Sequence, residues 1–142
     1  MKKIQFNNIT YAILIDSNYE SNGIEFFTPN EYSQQLAYMK REKDYEIQPH
    51  IHNKVVREVF YTQETLIIKR GKVRVDIYNE NHEYLSSTII KSGDIILLVS
   101  GGHGFKMLEE TEIIEIKQGP YVEENDKKRF NSVKNDKINF IK

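Results

Sequence analysis

The stretch P-H-I-H-N-K-V-V-R-E-V-F-Y-T-Q-E-T-L-I-I-K-R-G, residues 49–71, contains most of the residues on which the predicted fold and site depend. It begins with His50 and His52, and Glu64 follows twelve positions after His52. Alternate side chains of an extended strand point to the same face, so an H-x-H pair directs both imidazoles to one side. A third histidine, His103, lies in a second glycine-rich segment, G-D-I-I-L-L-V-S-G-G-H-G, residues 93–104.

These three histidines and Glu64 form a mixed set of nitrogen and oxygen donors. Such a set suits a divalent transition metal, namely Fe, Mn, Ni, Co or Zn. Strand parity favours their convergence inside a barrel, because Glu64 shares a face with Leu66 and Ile68, and His103 shares a face with Phe105. Four protein ligands would leave coordination positions open to water or substrate, as in a catalytic metal site.

Each residue alone also has a structural interpretation. An H-x-H on a strand is often a surface pair, a glutamate before an apolar run is usually a strand-end charge, and His103 could be incidental to a tight turn. The combination of their spacing with the turn glycines favours the metal site. The remaining histidine, His82, lies in the polar turn N-E-N-H-E and is predicted to be a solvated surface residue.

Composition limits the class of protein. The 142 residues predict one domain, and the net charge of -1 gives no support to a nucleic-acid or anionic-membrane surface. There is no cysteine, which excludes disulfides, thiolate ligands and a cysteine nucleophile. The amino-terminal residues lack the long apolar run of a signal peptide or membrane span. We therefore expect a soluble, cytoplasmic protein.

Short apolar and alternating runs, separated by turn signals, predict strands along most of the chain. Residues 35–41 could also form a helical turn, but their apolar residues do not hold a helical stripe, so a strand is favoured. The predicted strands are residues 11–16, 24–28, 35–41, 46–52, 55–62, 64–69, 73–78, 85–90, 95–99, 105–108 and 112–118. Residues 100–104 are predicted to be a loop around His103. Many short strands without a long helix indicate an all-β sandwich or barrel.

The whole chain, residues 1–142, is predicted to be a single domain. The barrel core is placed at about residues 35–121, with N-terminal strands in residues 1–34 and a charged C-terminal tail in residues 122–142. The tail has few apolar residues, and three arrangements remain open: it wraps over the barrel, pairs with a second subunit, or is partly disordered.

The H-x-H pair, the carboxylate and the glycines together resemble the cupin superfamily. The first cupin motif is G(X)5HXH(X)3,4E(X)6G, and the H-x-H pair, Glu64 and Gly71 match its metal-binding and turn positions. Asp44 stands in place of the leading glycine, and eleven residues separate the H-x-H pair from Glu64. Glu58 lies nearer to the pair and is the reserve candidate, but its distance to Gly71 does not fit the motif.

The second cupin motif, G(X)5PXG(X)2H(X)3N, resembles the segment that carries the third histidine. Gly93, Gly101 and His103 match it, whereas Val99 replaces the proline and Met107 occupies the region of the final asparagine. The resemblance covers about residues 48–120. It implies an all-β, single-domain cupin: a metal-holding double-stranded β-helix, or jelly-roll barrel, that is often a homodimer. Many small bacterial members of this family accompany polysaccharide or sugar-nucleotide pathways, a form of carbohydrate metabolism.

Other polar residues are candidates for the mouth of the pocket. Lys117 could bind an anionic substrate or act as an acid or base, or it could be an exposed strand-end lysine. Tyr121 follows a turn that could aim it at the pocket, or it could only anchor the tail. Arg57 lies on the long segment before Glu64 and could contact a ligand or solvent. Lys117, Tyr121 and Arg57 are therefore the candidate catalytic residues, with a small-molecule ligand as the expected partner.

Three functions are compatible with these residues. The favoured one is a metal-dependent enzyme acting on a small polar molecule such as a sugar derivative, either an isomerase or epimerase or an iron-dependent dioxygenase. The alternatives are a non-catalytic small-molecule-binding or sensing module, and a barrel whose dimer interface is its function. A homodimer is expected because the edge strands of a small β-barrel can pair across a two-fold axis.

Overall fold

The computed structural model describes residues 1–122 and 126–141. These residues form ten β-strands and no α-helix, so the prediction of an all-β chain is confirmed. The strands are β1 (Lys2–Phe6), β2 (Ile9–Ile15), β3 (Gly23–Phe26), β4 (Ala37–Lys40), β5 (Glu64–Arg70), β6 (Lys72–Tyr78), β7 (Tyr84–Lys91), β8 (Ile95–Leu98), β9 (Gly102–Met107) and β10 (Glu112–Lys117). A 3₁₀ helix spans Asn135–Lys137. None of the described segments is a helix long and apolar enough to cross a membrane.

The chain divides into two compact units. The first comprises residues 1–19 and the described residues from 63 onward, and the second comprises residues 20–62. The first unit contains a five-stranded sheet in the order β1-β2-β8-β5-β10 and a three-stranded sheet in the order β7-β6-β9, both antiparallel. The second unit contains the β3–β4 hairpin.

The two sheets of the first unit share one apolar core. Val73, Val75 and Ile77 alternate along β6 and are at most 1% exposed, and they belong to the same cluster as Leu66 and Ile96 of the five-stranded sheet. An apolar residue at every second position makes one face of each strand hydrophobic, and burial of that face stabilises the sheet. The architecture is therefore that of a β-sandwich, and the described strands do not close into one barrel.

The structure corrects the prediction for residues 46–52 and 55–62. Both were predicted as strands from their β-branched and aromatic residues, but the structure contains no strand between residues 41 and 63. Their side chains are exposed, with Val56 at 96% and Phe60 at 83%. A preference for strands reflects how well a side chain fits a half-buried pleated surface, so it does not produce a strand where no partner strand is present.

The predicted loop at residues 100–104 is also shorter in the structure. Strand β9 begins at Gly102, so His103 lies on a strand and pairs in register with Ile77 of β6. The positive φ of Gly101, 66°, completes the turn that precedes the strand. This placement fixes the direction of the His103 side chain more firmly than a loop would.

The described part of the tail, residues 126–141, packs against the three-stranded sheet. The backbone N–H of Val133 donates to the Tyr78 hydroxyl at 2.9 Å, and the N–H of Ile141 donates to the carbonyl of Ser87 at 2.9 Å. The ring of Phe130 lies edge-on to Tyr78, with centroids 5.0 Å apart. Of the three predicted arrangements, this one is closest to wrapping over the sheet. The other tail positions, residues 123–125 and 142, lie outside the described residues.

Candidate functional site

The centre of the candidate site is a carboxylate–imidazole pair. Glu64 is the first residue of β5 in the five-stranded sheet, and His103 is the second residue of β9 in the three-stranded sheet. The Nε2 of His103 lies 3.0 Å from Oε2 of Glu64, and the two side chains are 28% and 13% exposed. As predicted, Glu64 shares its face with the buried Leu66 and Ile68. The pair therefore joins the two sheets where the core meets solvent.

Electrostatics keep Glu64 ionised. The hydrogen bond from His103 is the main cause that lowers the pKa of Glu64 below its ordinary value, and burial of the carboxyl opposes that effect. The positive charges of Lys127 and Lys117 lower the pKa further. At neutral pH Glu64 is therefore a carboxylate that accepts the N–H of His103 Nε2, and this nitrogen can bind a metal ion only when that proton is lost.

Lys117 and Tyr121 lie beside this pair. Lys117 is the last residue of β10 and stands directly opposite Glu64 in the β5–β10 register. Its ammonium group lies 3.2 Å from Oε1 of Glu115 and 5.2 Å from the centre of the Tyr121 ring. The hydrogen bond to Glu115 raises the pKa of Lys117, and desolvation opposes that effect. Lys117 therefore remains protonated at neutral pH and is suited to bind an anionic or oxygen-rich group.

The H-x-H pair lies in the second unit. His50 and His52 are exposed, and their rings meet edge to face at a centroid distance of 5.3 Å and an angle of 78°. The Nδ1–H of His50 donates to the carbonyl of Gln48 at 3.0 Å, which leaves the lone pair of Nε2 for a metal ion. Arg57 and Glu58 are exposed and lie in the same irregular segment, which comprises residues 41–62 and contains no strand.

The structure thus brings the predicted ligands together as two pairs, Glu64 with His103 and His50 with His52. Within residues 1–122 and 126–141, no group of three or more His, Cys, Asp or Glu side chains is placed to hold a metal ion.

Two backbone positions, Asp44 and Gly71, have left-handed conformations. Asp44, which stands in place of the leading glycine, has a φ of 66°, and Gly71 has a φ of 91°. Glycine is preferred in this region, and aspartate is one of the few other residues that tolerate it. Gly71 cannot be replaced, because a Cβ there would lie 2.4 Å from the carbonyl oxygen of Glu110. Asp44 therefore adopts a backbone conformation that glycine would also adopt.

Sequence reasoning did not identify two groups of residues. The positive charge of Lys127 lowers the pKa of Glu64. The two residues are distant in sequence, so no local sequence pattern predicts this interaction. The second group is a buried ion pair between Arg74 and Asp76 on the non-core face of β6. Opposite charges two positions apart on a strand were the available signal for that pair, since such side chains share a face.

Comparison with protein-family models found no match, and searches of curated proteins and of solved structures found no significant match either.

Proposed function

We propose that this protein binds a divalent transition metal and acts as an enzyme on a small polar substrate such as a sugar or sugar derivative. The observation that carries the proposal is the 3.0 Å approach of His103 Nε2 to Glu64 Oε2 at the solvent-facing end of the sandwich core. A carboxylate and an imidazole in contact at the edge of a core are a common composition for a functional site, because burial and mutual contact shift their pKa values.

Glu64 and His103 are the residues in contact that would hold the metal ion. Its binding would displace the proton that now lies between the two side chains. The metal would polarise a carbonyl oxygen of the substrate or activate oxygen.

The further ligands that we propose are His50 and His52. Both are exposed imidazoles, and the hydrogen bond of His50 Nδ1–H directs its remaining lone pair to Nε2. The cupin resemblance implies a set of three histidines and one carboxylate, and His50 and His52 stay predictions as members of that set. The left-handed conformations of Asp44 and Gly71 support that resemblance, and we propose the jelly-roll barrel of a single-domain cupin as the finer description of the fold.

Lys117 and Tyr121 are the proposed substrate-binding residues. Lys117 is a protonated cation beside Glu64, and the Tyr121 ring lies against its ammonium group. A cation and a phenol at the edge of the site would hold carboxylate, phosphate or hydroxyl oxygens of the substrate. Arg57 is exposed and remains a prediction as a further anion-binding residue.

Activity of the metal-loaded protein tests the enzyme proposal. Samples loaded separately with Fe, Mn, Co, Ni and Zn would be assayed with a panel of sugars for aldose–ketose or epimer interconversion and for oxygen consumption. We expect turnover with at least one metal, lower kcat/KM in Lys117→Gln, and unchanged kcat/KM in Lys91→Gln, an exposed lysine at the end of β7. No turnover with any metal or substrate would contradict the enzyme proposal.

A non-catalytic binding module is the second candidate function, and one observation favours it. The pKa of Glu64 is lowered and that of Lys117 is raised, so neither group is matched to proton transfer near neutral pH. If the metal-loaded protein binds a sugar or organic acid in calorimetry without converting it, this candidate replaces the enzyme.

We also propose that the protein is a cytoplasmic homodimer. Large apolar side chains are exposed in the irregular segment of the second unit, with Ile51 at 90%, Val56 at 96% and Phe60 at 83%. Exposed apolar side chains clustered in one segment are typical of an interaction surface, and a second copy of the chain would cover them. Light scattering should give the mass of a dimer, and Val56→Glu with Phe60→Glu should give that of a monomer. A monomeric mass for the unchanged protein would contradict the proposal.

A further inference from the structure

A cavity lies on the face of the three-stranded sheet that points away from the core. It has a volume of about 620 Å³ and opens between strands β6 and β9 and the tail residues 132–135. Its walls include both charged and apolar side chains. Its lining residues include Arg74, Asp76, Lys106, Val133, Lys134 and Asn135.

A buried ion pair forms the floor of this cavity. Arg74 Nε donates to Asp76 Oδ1 at 2.8 Å, and Nη2 donates to Oδ2 at 2.9 Å. The Ser87 hydroxyl also donates to Asp76 Oδ1, at 2.5 Å. Arg74 is 8% exposed and Asp76 is 2% exposed. The guanidinium is therefore fixed in position before any ligand arrives, which reduces the entropy that binding would cost.

Arg74 has donors beyond those that the protein uses. A guanidinium carries five N–H groups. Two of them donate to Asp76, and a third, on Nη1, donates to Oδ1 of Asn135 at 3.2 Å. The hydrogen bonds among the described residues leave one N–H on Nη1 and one on Nη2. Buried donors are nearly always satisfied, so an acceptor is expected at these two positions.

The charge around the cavity favours an anion as that acceptor. Asp76 offsets the charge of Arg74, and the exposed Lys106 and Lys134 add two positive charges at the rim. Lys106 Nζ lies 3.4 Å from the same Asn135 oxygen that Arg74 contacts, which places both cations around one point. Val133, which also lines the cavity, is apolar and is suited to the carbon part of a ligand.

We infer that this cavity binds a small organic anion whose carboxylate or phosphate group is held by Arg74, Lys106 and Lys134. The planar N–H groups of arginine match the oxygens of both carboxylate and phosphate, and lysine adds positive charge without requiring one hydrogen-bond direction. The cavity lies on the opposite face of β6 from the core, whereas Glu64 and His103 lie on the core side. The inference is therefore independent of the proposed metal site. An anion here would also join the sheet to residues 132–135, so its binding should stabilise the docked tail.

Backbone amide NMR titrations of the full chain test the inference. Inorganic phosphate and succinate would be added in separate experiments, with sodium chloride adjusted to hold ionic strength constant. We expect saturable shifts at residues 104–106 and 132–135. The double variant Lys106→Gln, Lys134→Gln should bind more weakly, with an apparent Kd raised about tenfold or more. The charge-matched control, Lys43→Gln with Lys91→Gln, alters two exposed lysines outside the cavity and should bind as the unchanged protein does.

The probes also distinguish the two kinds of anion. Saturation by phosphate alone assigns a phosphoryl ligand, and saturation by succinate alone assigns a carboxylate. Shifts that grow linearly with either probe, or that occur outside residues 104–106 and 132–135, would overturn the inference. Equal affinity in the Lys106→Gln, Lys134→Gln variant would do the same. Both lysines are exposed, so the folded spectrum should be retained in that variant.

Discussion

His103 Nε2 lies 3.0 Å from Glu64 Oε2, so an imidazole from one sheet meets a carboxylate from the other at the end of the shared core. This contact depends on two strands that are distant in sequence and on the short turn that begins β9 at Gly102. Its hydrogen bond lowers the pKa of Glu64, and it brings together two predicted ligands from different sheets.

The first prediction concerns the pH dependence of this pair. The pKa of Glu64 is lowered in the folded protein from an ordinary value of 4.5. The carboxylate therefore contributes stability that is fully present above that pH and is lost as the pH falls through the folded pKa. In His103→Ala the pKa of Glu64 should rise, because the hydrogen bond is removed and burial remains. NMR titration of the carboxyl carbon measures the pKa of Glu64 directly, and His82→Ala is the control. An unchanged Glu64 pKa in His103→Ala would mean that the hydrogen bond from His103 does not lower it.

The second prediction concerns the buried pair Arg74 and Asp76. Replacing one partner leaves the other charge buried without compensation, so Arg74→Met and Asp76→Leu should each lower the free energy of unfolding by about 3–5 kcal/mol. The double variant, Arg74→Met with Asp76→Leu, should recover a substantial part of the lost free energy of unfolding. Urea unfolding of the four proteins provides the measurement. Additive losses in the double variant would mean that the two side chains do not act as a pair.

The third prediction contrasts two neighbouring serines on β7. Ser86 Oγ is buried without a hydrogen-bond partner among the described residues, so Ser86→Ala should raise the free energy of unfolding by roughly 1 kcal/mol. Ser87 Oγ donates to Asp76 and contacts the Tyr84 hydroxyl at 2.8 Å, so Ser87→Ala should lower it by about 1–3 kcal/mol. Thermal or urea unfolding measures both, and changes of the same sign would contradict the assignment.

The fourth prediction contrasts two glycines before and within β9. Gly101 has a φ of 66°, and a Cβ there would lie 2.3 Å from the carbonyl oxygen of Tyr78. Gly101→Ala should therefore cost on the order of 2–4 kcal/mol. A Cβ at Gly104 would lie 3.7 Å from the Tyr78 ring, an ordinary contact, so Gly104→Ala is the matched control and should cost much less. Similar unfolding midpoints for the two variants would refute the geometric explanation.

The sequence predicts strands well where the apolar alternation also has a partner strand. The run 73–78 was predicted residue by residue, because Val73, Val75 and Ile77 mark one face, and the structure confirms it as β6. The run 55–62 has equally strong strand propensity and forms no strand, because pairing depends on the whole fold and is not encoded locally. Strand β1 was missed, since its five residues bury only Ile4.

In the candidate site, too, some features follow from a local sequence pattern and others depend on the whole fold. Strand parity correctly placed Glu64 on the face of Leu66 and Ile68, and the contact with His103 follows from inward faces of two packed sheets. The sequence left the arrangement of the tail open, because its docking rests on hydrogen bonds such as that from Val133 N–H to the Tyr78 hydroxyl. Such contacts leave no periodic signal in a charged segment. The Arg74 cavity, which the tail closes on one side, was therefore also beyond sequence reasoning.

The most direct test of the central claim is the metal content of the purified protein, measured by elemental analysis after incubation with Fe, Mn, Co, Ni or Zn salts and removal of unbound ions. The account predicts equimolar binding of one of these metals, its loss in Glu64→Gln with His103→Gln, and its retention in His82→Gln, with circular dichroism confirming that all three proteins are folded. A protein that retains none of the five metals, or a Glu64→Gln, His103→Gln variant that binds as much as the unchanged chain, would contradict it.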